Sequence, residues 1–438
     1  GSREIQYESN LTQIPSIKPY SAAEILCDAL SLSPGSLPFP WQSAFLERML
    51  SKPEKLPEGL DIPTGLGKTS VMAIWLVAKS FGAPLPRRLI YVVDRRVVVD
   101  QATTVAEGLR EFVERNPDIK QKLGLAKRLP ISTLRGQHLD NREWTEDPAS
   151  LAIIIGTVDM IGSRLLFEGY GVSRKMRPYH AGLLGADSLL VLDEAHLVPP
   201  FEAMLETISD DREMFAPKDD GQSAIPPFHL MTLSATGKQK ANLLGLTVED
   251  LKEGTVTRQR LTAKKHLLFY AHDTKEEFTD WMAGKAWDLG AQPDSPQRVL
   301  VFCNSRKAAE QVFKAICKNA KAESVEIDME LLVGGRRILE RQNAAESLNQ
   351  TGWLDGASIR PDKPTFLIAT SAGEVGVDLD ADHLVCDLVE WERMVQRLGR
   401  VNRRGQCNAK VLVLLEKEPT PNAKVKTALD KSPSERDD

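Results

Sequence analysis

The chain has 438 residues, 42% of them apolar and 27% charged, and carries a net charge of −5. That balance excludes a disordered chain and a generally basic coat, and it leaves room for two or three domains with buried cores. Five cysteines with no CxxC pair exclude a disulfide framework and a cysteine-built zinc site, and no apolar run is long enough to span a bilayer.

Taken in chain order, residues 1–35 are a Pro- and Ser-containing flank. "FPWQSAF" (39–45) then places Gln42 upstream of a glycine-rich loop, where its amide would read adenine through paired hydrogen bonds. The loop itself is "DIPTGLGKT" (61–69), followed by the helical pattern "SVMAIWLVAKS". Backbone N–H groups from Thr64 and Gly65 through Gly67 to Thr69, at a helix N-terminus, suit a triphosphate. Lys68 would reach its β- and γ-phosphates, and the Thr69 hydroxyl would hold Mg²⁺. Ile62 stands where the strict phosphate-loop pattern has its first glycine, so the match is to a "PTGxGKT" variant.

Continuous apolar runs at 88–94, 151–157, 188–194 and 229–235 predict strands buried on both faces, hence a parallel α/β sheet. "LLVLDEAH" ends the third run with Asp193 and Glu194. Carboxylates at the carboxyl end of a parallel strand face the ligand crevice. Asp193 would hold Mg²⁺ and Glu194 would polarise an attacking water. "LSAT" adds Ser234 and Thr236 as a relay toward nucleic acid.

Residues 241–262 are polar and lack a strong strand pattern, which predicts a linker between a first domain (36–240) and a second (263–416), with a tail from 417 to 438. The second domain repeats the strand pattern at 266–272, 298–304, 365–371, 383–389 and 410–416. "IATSAGEVGVDLD" (368–380) offers Gly373 and Gly376 around a loop, with Asp378 as acceptor for a ribose hydroxyl. In "MVQRLGRVNRRG" (394–405), Gln396, Arg397, Arg400 and Arg403 recur at three- and four-residue spacing, which predicts one basic helix face docked on the γ-phosphate, with the small Gly399 allowing close approach. Donors for a nucleic-acid backbone are expected at Arg95, Arg96, Arg135, Gly136 and Thr157 in the first domain, and at Asn304, Ser305, Arg306 and Thr370 in the second.

These residues in this order resemble superfamily 2 nucleic-acid helicases of the DEAH-box type, over roughly residues 36–416. The resemblance implies an α/β fold of two tandem RecA-like domains with one ATP and its Mg²⁺ in the cleft between them. "TLRGQ" (133–137) and the stretch 154–197, with "LFEGYG" and the "HAGLLG" approach to the acidic pair, resemble the CRISPR-associated helicase–nuclease of type I systems. "VVDRRVVVDQ" is similar to the subtype G/U variety. That narrower likeness implies 3′ to 5′ movement on single-stranded DNA, recruitment by an RNA-guided CRISPR surveillance complex, and a metal-dependent histidine–aspartate nuclease. Of seven histidines, only His272-Asp273 makes the dipeptide, and no other histidine stands at ligand spacing. The expectation is therefore the motor alone, with the nuclease elsewhere in a longer chain or on another polypeptide. It is expected in the prokaryotic cytoplasm, without membrane contact. A restriction-type DNA motor, an RNA helicase, and an ATP-gated recruitment module are the competing readings.

Overall fold

The computed structural model describes residues 21–94, 96–134, 142–210, 227–233, 240–273, 275–292, 295–333, 348, 350–354, 361–373 and 379–416. Two parallel sheets dominate. The first has strands β1 (Gly59–Asp61), β2 (Arg88–Val93), β3 (Ile131–Leu134), β4 (Ala152–Thr157), β5 (Ser188–Asp193), β6 (Phe228–Leu233) and β7 (Leu243–Gly245), in the order β3-β4-β2-β5-β6-β1-β7. The second has β8 (Lys265–Ala271), β9 (Arg298–Phe302), β10 (Asp328–Leu332), β11 (Thr365–Ala369), β12 (His383–Asp387) and β13 (Ala409–Leu415), in the order β10-β11-β9-β12-β13-β8. All the ladders between these strands are parallel.

Helices cover both faces of each sheet, which is why the inner strands are apolar without alternation. In the first sheet, Leu89, Tyr91, Val93, Leu189 and Val191 pack toward the helix Val71–Ser80. Ile90, Val92, Leu190 and Leu192 face the opposite layer with Ile161 and Leu184. Helix Val71–Ser80 buries every residue except Lys79, so the phosphate loop that precedes it is anchored to the core.

All nine strands expected from the apolar runs are present. Two expectations are corrected. The segment 241–262 is not free of strand, because β7 pairs with β1 and extends the first sheet past residue 240, and the helix Val256–Leu261 follows. The run at 266–272 forms β8, but as an exposed edge strand whose Leu267, Leu268, Phe269 and Tyr270 remain open to solvent. Being at the sheet edge, it pairs with β13 alone.

Candidate ATP site between the two sheets

The phosphate loop leaves β1 and turns through Gly65 (φ +89°) and Gly67 (φ +74°) before the short 3₁₀ turn Lys68–Ser70. Both glycines occupy left-handed backbone that costs a side-chain-bearing residue about 1–2 kcal/mol. The loop is braced from behind. Trp41 Nε1 donates to the Leu66 carbonyl at 3.1 Å. Gln42 is buried; its Nε2 donates to Ser70 Oγ at 2.9 Å and its Oε1 accepts from the Phe39 N–H at 2.9 Å. Both ends of that amide are therefore engaged within the chain. Gln42 lines a neighbouring cavity of about 510 Å³ with Phe39, Thr69 and Ser70 and not the cleft that Lys68 lines, although its Nε2 would lie 3.0 Å from a methyl group on Gly67.

β5 delivers the acidic pair. Glu194 adopts φ +49°, a strained conformation for a residue with a side chain, and this bends the chain sharply after Asp193. Asp193 Oδ1 accepts from the Glu194 N–H at 3.0 Å, and Oδ2 accepts from the Tyr91 hydroxyl at 2.8 Å. Lys68 Nζ lies 2.7 Å from Glu194 Oε1 and 4.0 Å from Asp193 Oδ1. Burial works against the Lys68 charge, yet the two carboxylates outweigh it and hold its pKa above the ordinary lysine value. Burial pushes the Asp193 carboxyl up, against the pull of Lys68.

The second sheet closes the site. A cleft of about 310 Å³ is lined on one side by Thr64, Gly65, Gly67, Lys68, Thr69, Asp193 and Glu194, and on the other by Gln396, Arg400 and Arg403. A methyl group on Gly65 would come within 2.6 Å of Arg403 Nε. The Arg403 backbone is fixed by its N–H donating to Asp380 Oδ1 at 2.8 Å.

The arginines do not converge as one helix face. The helix Trp391–Leu398 ends at Gly399, so Gln396 is helical while Arg400 and Arg403 project from the turn beyond it. Arg397 points the other way. It is fully buried, bonds Asp387 Oδ1 at 2.7 Å, and its guanidinium lies 5.0 Å from the Phe302 ring centre. Nor does Gly399 permit the close approach; the nearest atoms to a methyl group there are carbonyls of its own helix. Gly65 has that role instead.

Several cleft residues escaped the sequence reading, among them Asp94 and Gln101, and two of the residues it missed brace the site. Arg260, in the expected linker, lines the cleft and donates to the Gly65 carbonyl. Tyr91, in the middle of an apolar strand, holds Asp193. Nothing in the spacing marks either one.

The described members of the expected nucleic-acid donors sit at strand ends or in the turns and helix starts after them. Thr157 ends β4 and caps the helix Val158–Leu165, accepting from the Met160 N–H at 3.4 Å. Ser305 caps the helix Arg306–Glu323, accepting from the Ala308 N–H at 3.1 Å. Asn304 N–H donates to Asp387 Oδ2 at 3.0 Å, Arg306 pairs with Glu310 at 2.8 Å, and Thr370 N–H donates to the Leu332 carbonyl at 3.1 Å. Arg95, Arg135, Gly136, Ser234, Thr236, Gly376 and Asp378, with the Arg96 side chain, lie outside the described residues. His272, at the end of β8, packs on Phe278 and Trp281. Among the described residues, no helix is long and apolar enough to cross a membrane.

Residues 295–406 match the family described as CRISPR-associated nuclease/helicase Cas3, C-terminal, and residues 37–238 match that of the type III restriction enzyme, res subunit. The ATP-dependent DNA helicase mph1 of Sclerotinia sclerotiorum is 27% identical over 172 residues, 38% of this chain and 13% of that protein. Cas3 of T. fusca with AMPPNP superposes with a TM-score of 0.58 at 17% identity, over 91% of this chain and 48% of that one. S. cerevisiae Dbp5 bound to RNA and ADP BeF3 gives 0.52 at 15%, over 91% and 88%. The chain thus spans about half the length of Cas3 and a small part of the DNA helicase. Two parallel sheets share one phosphate-loop cleft and the two family matches fall one on each sheet, and in this arrangement the chain resembles a superfamily 2 helicase core such as the helicase part of Cas3.

Proposed function

We propose that the chain is an ATP-driven motor on single-stranded DNA, serving type I CRISPR interference. The observation that carries the ATPase part is the placement of Arg403, from the second sheet, against Gly65 of the phosphate loop. A hydrolytic site split between two bodies couples chemistry to their relative motion, because the arginines act only when the cleft is closed.

The residues fit a magnesium nucleotide. Mg²⁺ favours oxygen donors, few protein ligands and bound phosphates. Thr69 supplies a hydroxyl and Asp193 a carboxylate, both on the cleft wall. Held by Thr69 and Asp193, the ion would supply positive charge against the developing charge of the phosphates. Lys68 now spends its charge on Glu194 and would transfer it to the phosphates. Glu194, released, would orient the attacking water. Arg400, Arg403 and Gln396 would then stabilise charge on the departing phosphate, worth ~10³–10⁵ in rate for an arginine finger. Loss of that phosphate removes what the arginines hold, and the cleft reopens. Gln42 would read adenine only by giving up one of its internal bonds; Gly376 and Asp378 are assigned to the ribose side.

The DNA track is assigned to the strand ends. β3, β4 and β2 are neighbours in the first sheet, as are β11 and β9 in the second. In sequence, Arg95 and Arg96 follow β2, Arg135 and Gly136 follow β3 and Thr157 ends β4, while Asn304, Ser305 and Arg306 follow β9 and Thr370 follows β11. Alternating grips along two such rows would turn opening and closing into steps. Direction (3′ to 5′), recruitment by an RNA-guided surveillance complex, and a histidine–aspartate nuclease in cis or in trans rest on the likeness to Cas3, as does a prokaryotic cytoplasmic setting.

The match of residues 37–238 to a restriction-enzyme subunit favours a second reading, a DNA motor of a restriction system. An RNA helicase and an ATP-gated recruitment module are tested alongside. ATP turnover is measured alone, with single-stranded DNA and with RNA, and then strand displacement is measured on 3′- and 5′-tailed duplexes. The proposal expects stimulation by single-stranded DNA and unwinding from a 3′ tail. Greater stimulation by RNA supports the RNA helicase, and turnover without movement supports the recruitment module.

A further inference from the structure

Strand β2 is buried throughout, and an apolar residue at position 91 would serve its packing. Position 91 instead carries a phenol, 1% exposed. The register of β2 on β5 pairs Tyr91 with Val191, so Tyr91 and Asp193 share one sheet face, the face covered by the phosphate-loop helix. There the Tyr91 hydroxyl donates to Asp193 Oδ2 at 2.8 Å. The Thr69 side chain and the Glu194 carboxylate also act on this hydroxyl. Tyr91 therefore stands between the two side chains assigned to the metal, while Lys68 Nζ waits 4.0 Å from the other Asp193 oxygen.

We propose that Tyr91 is a positioning residue for the divalent cation: its hydroxyl fixes the Asp193 carboxylate at a set spacing from Thr69 and keeps it from collapsing onto Lys68. This rests on the reading of the cleft as a magnesium–nucleotide site. A carboxylate that lost this donor would be short of one hydrogen bond in a buried setting, and the nearest replacement is the lysine ammonium. A direct Asp193–Lys68 pair would occupy the oxygen meant for the metal and the charge meant for phosphate. Partners that orient metal ligands typically govern about 10–100-fold in metal affinity.

The test compares wild type with Tyr91→Phe, which keeps the ring, and Tyr91→Met, which refills the space if the phenylalanine variant proves unstable. Mn²⁺ binding is followed by electron paramagnetic resonance in the presence of a non-hydrolysable ATP analogue. Analogue binding is also measured in EDTA. The proposal expects about tenfold weaker Mn²⁺ binding, metal-free nucleotide affinity within twofold of wild type, and a matching rise in the Mg²⁺ needed for half-maximal ATP turnover. Mn²⁺ affinity within twofold of wild type overturns it, as does an equal loss of nucleotide binding in EDTA, which marks a merely structural phenol. Failure of the ATPase reading shows separately, as wild type that binds Mn²⁺ and analogue yet turns over no ATP with any nucleic acid.

Discussion

Arg403, which follows the helix Trp391–Leu398 of the second sheet's body, packs over Gly65 of the phosphate loop so closely that a β-carbon on Gly65 would lie 2.6 Å from Arg403 Nε and 3.1 Å from its Nη2. The glycine is required twice, for its left-handed φ and for the guanidinium that fills the space above it. Gly65→Ala should therefore lower ATP turnover at least about tenfold, since the clash and the backbone strain of about 1–2 kcal/mol add. Arg403→Ala in the same background should restore nucleotide binding without restoring turnover. Fluorescent-nucleotide titration and steady-state phosphate release separate the two effects.

Glu194 is the proposed water-orienting base and the present partner of Lys68. Glu194→Gln should leave ATP affinity within a fewfold and reduce turnover by ~10²–10⁴. Lys68→Ala should abolish both. Unchanged turnover in the glutamine variant would remove Glu194 from the chemistry.

Arg397 and Arg400 stand three residues apart and should behave oppositely. Arg397 forms a buried pair with Asp387, so Arg397→Ala strands a carboxylate and should destabilise the second domain by about 3–5 kcal/mol. Arg400→Ala should cost far less stability while lowering turnover by ~10³ or more. Urea unfolding alongside ATPase assays reads this contrast.

That contrast also shows how far the sequence reaches. The inner strands of five or more residues were legible because both faces are buried and the runs are continuous. β1, β3 and β7 escaped because three or four residues carry no period, and β10, "DMELL", because its half-buried setting lets acidic residues interrupt the apolar ones. The phosphate loop and the acidic pair were legible because their chemistry needs fixed residue types in fixed order. The arginine spacing was misread as a single helix, since three- and four-residue intervals cannot reveal that the helix stops at Gly399. Tyr91 and Arg260 act through space across the sheet and the cleft, and local spacing is blind to that.

Arg260 ties the Val256–Leu261 helix to the phosphate loop through the Gly65 carbonyl. The carbonyl of its neighbour Gln259 would lie 2.3 Å from a methyl group on Gly405, just past Arg403. Arg260→Ala should raise the KM for ATP several-fold, about 1 kcal/mol for one hydrogen bond, with a smaller change in kcat. An unchanged KM would leave the helix as a spacer.

On the nucleic-acid side, Arg306 is exposed and shares its charge with Glu310. If it grips a phosphate, Arg306→Ala should reduce the slope of log affinity against log salt by about 0.7 for single-stranded DNA. Fluorescence anisotropy at several salt concentrations measures it, and an unchanged slope would move the track away from this helix.

The most direct measurement is steady-state ATP hydrolysis by the purified chain, with and without single-stranded DNA, for wild type and Arg403→Ala. The account predicts turnover that rises with DNA in wild type and is lost in the variant, with DNA affinity retained. Turnover that ignores DNA, or that survives removal of the Arg403 guanidinium, would contradict a site completed across the cleft.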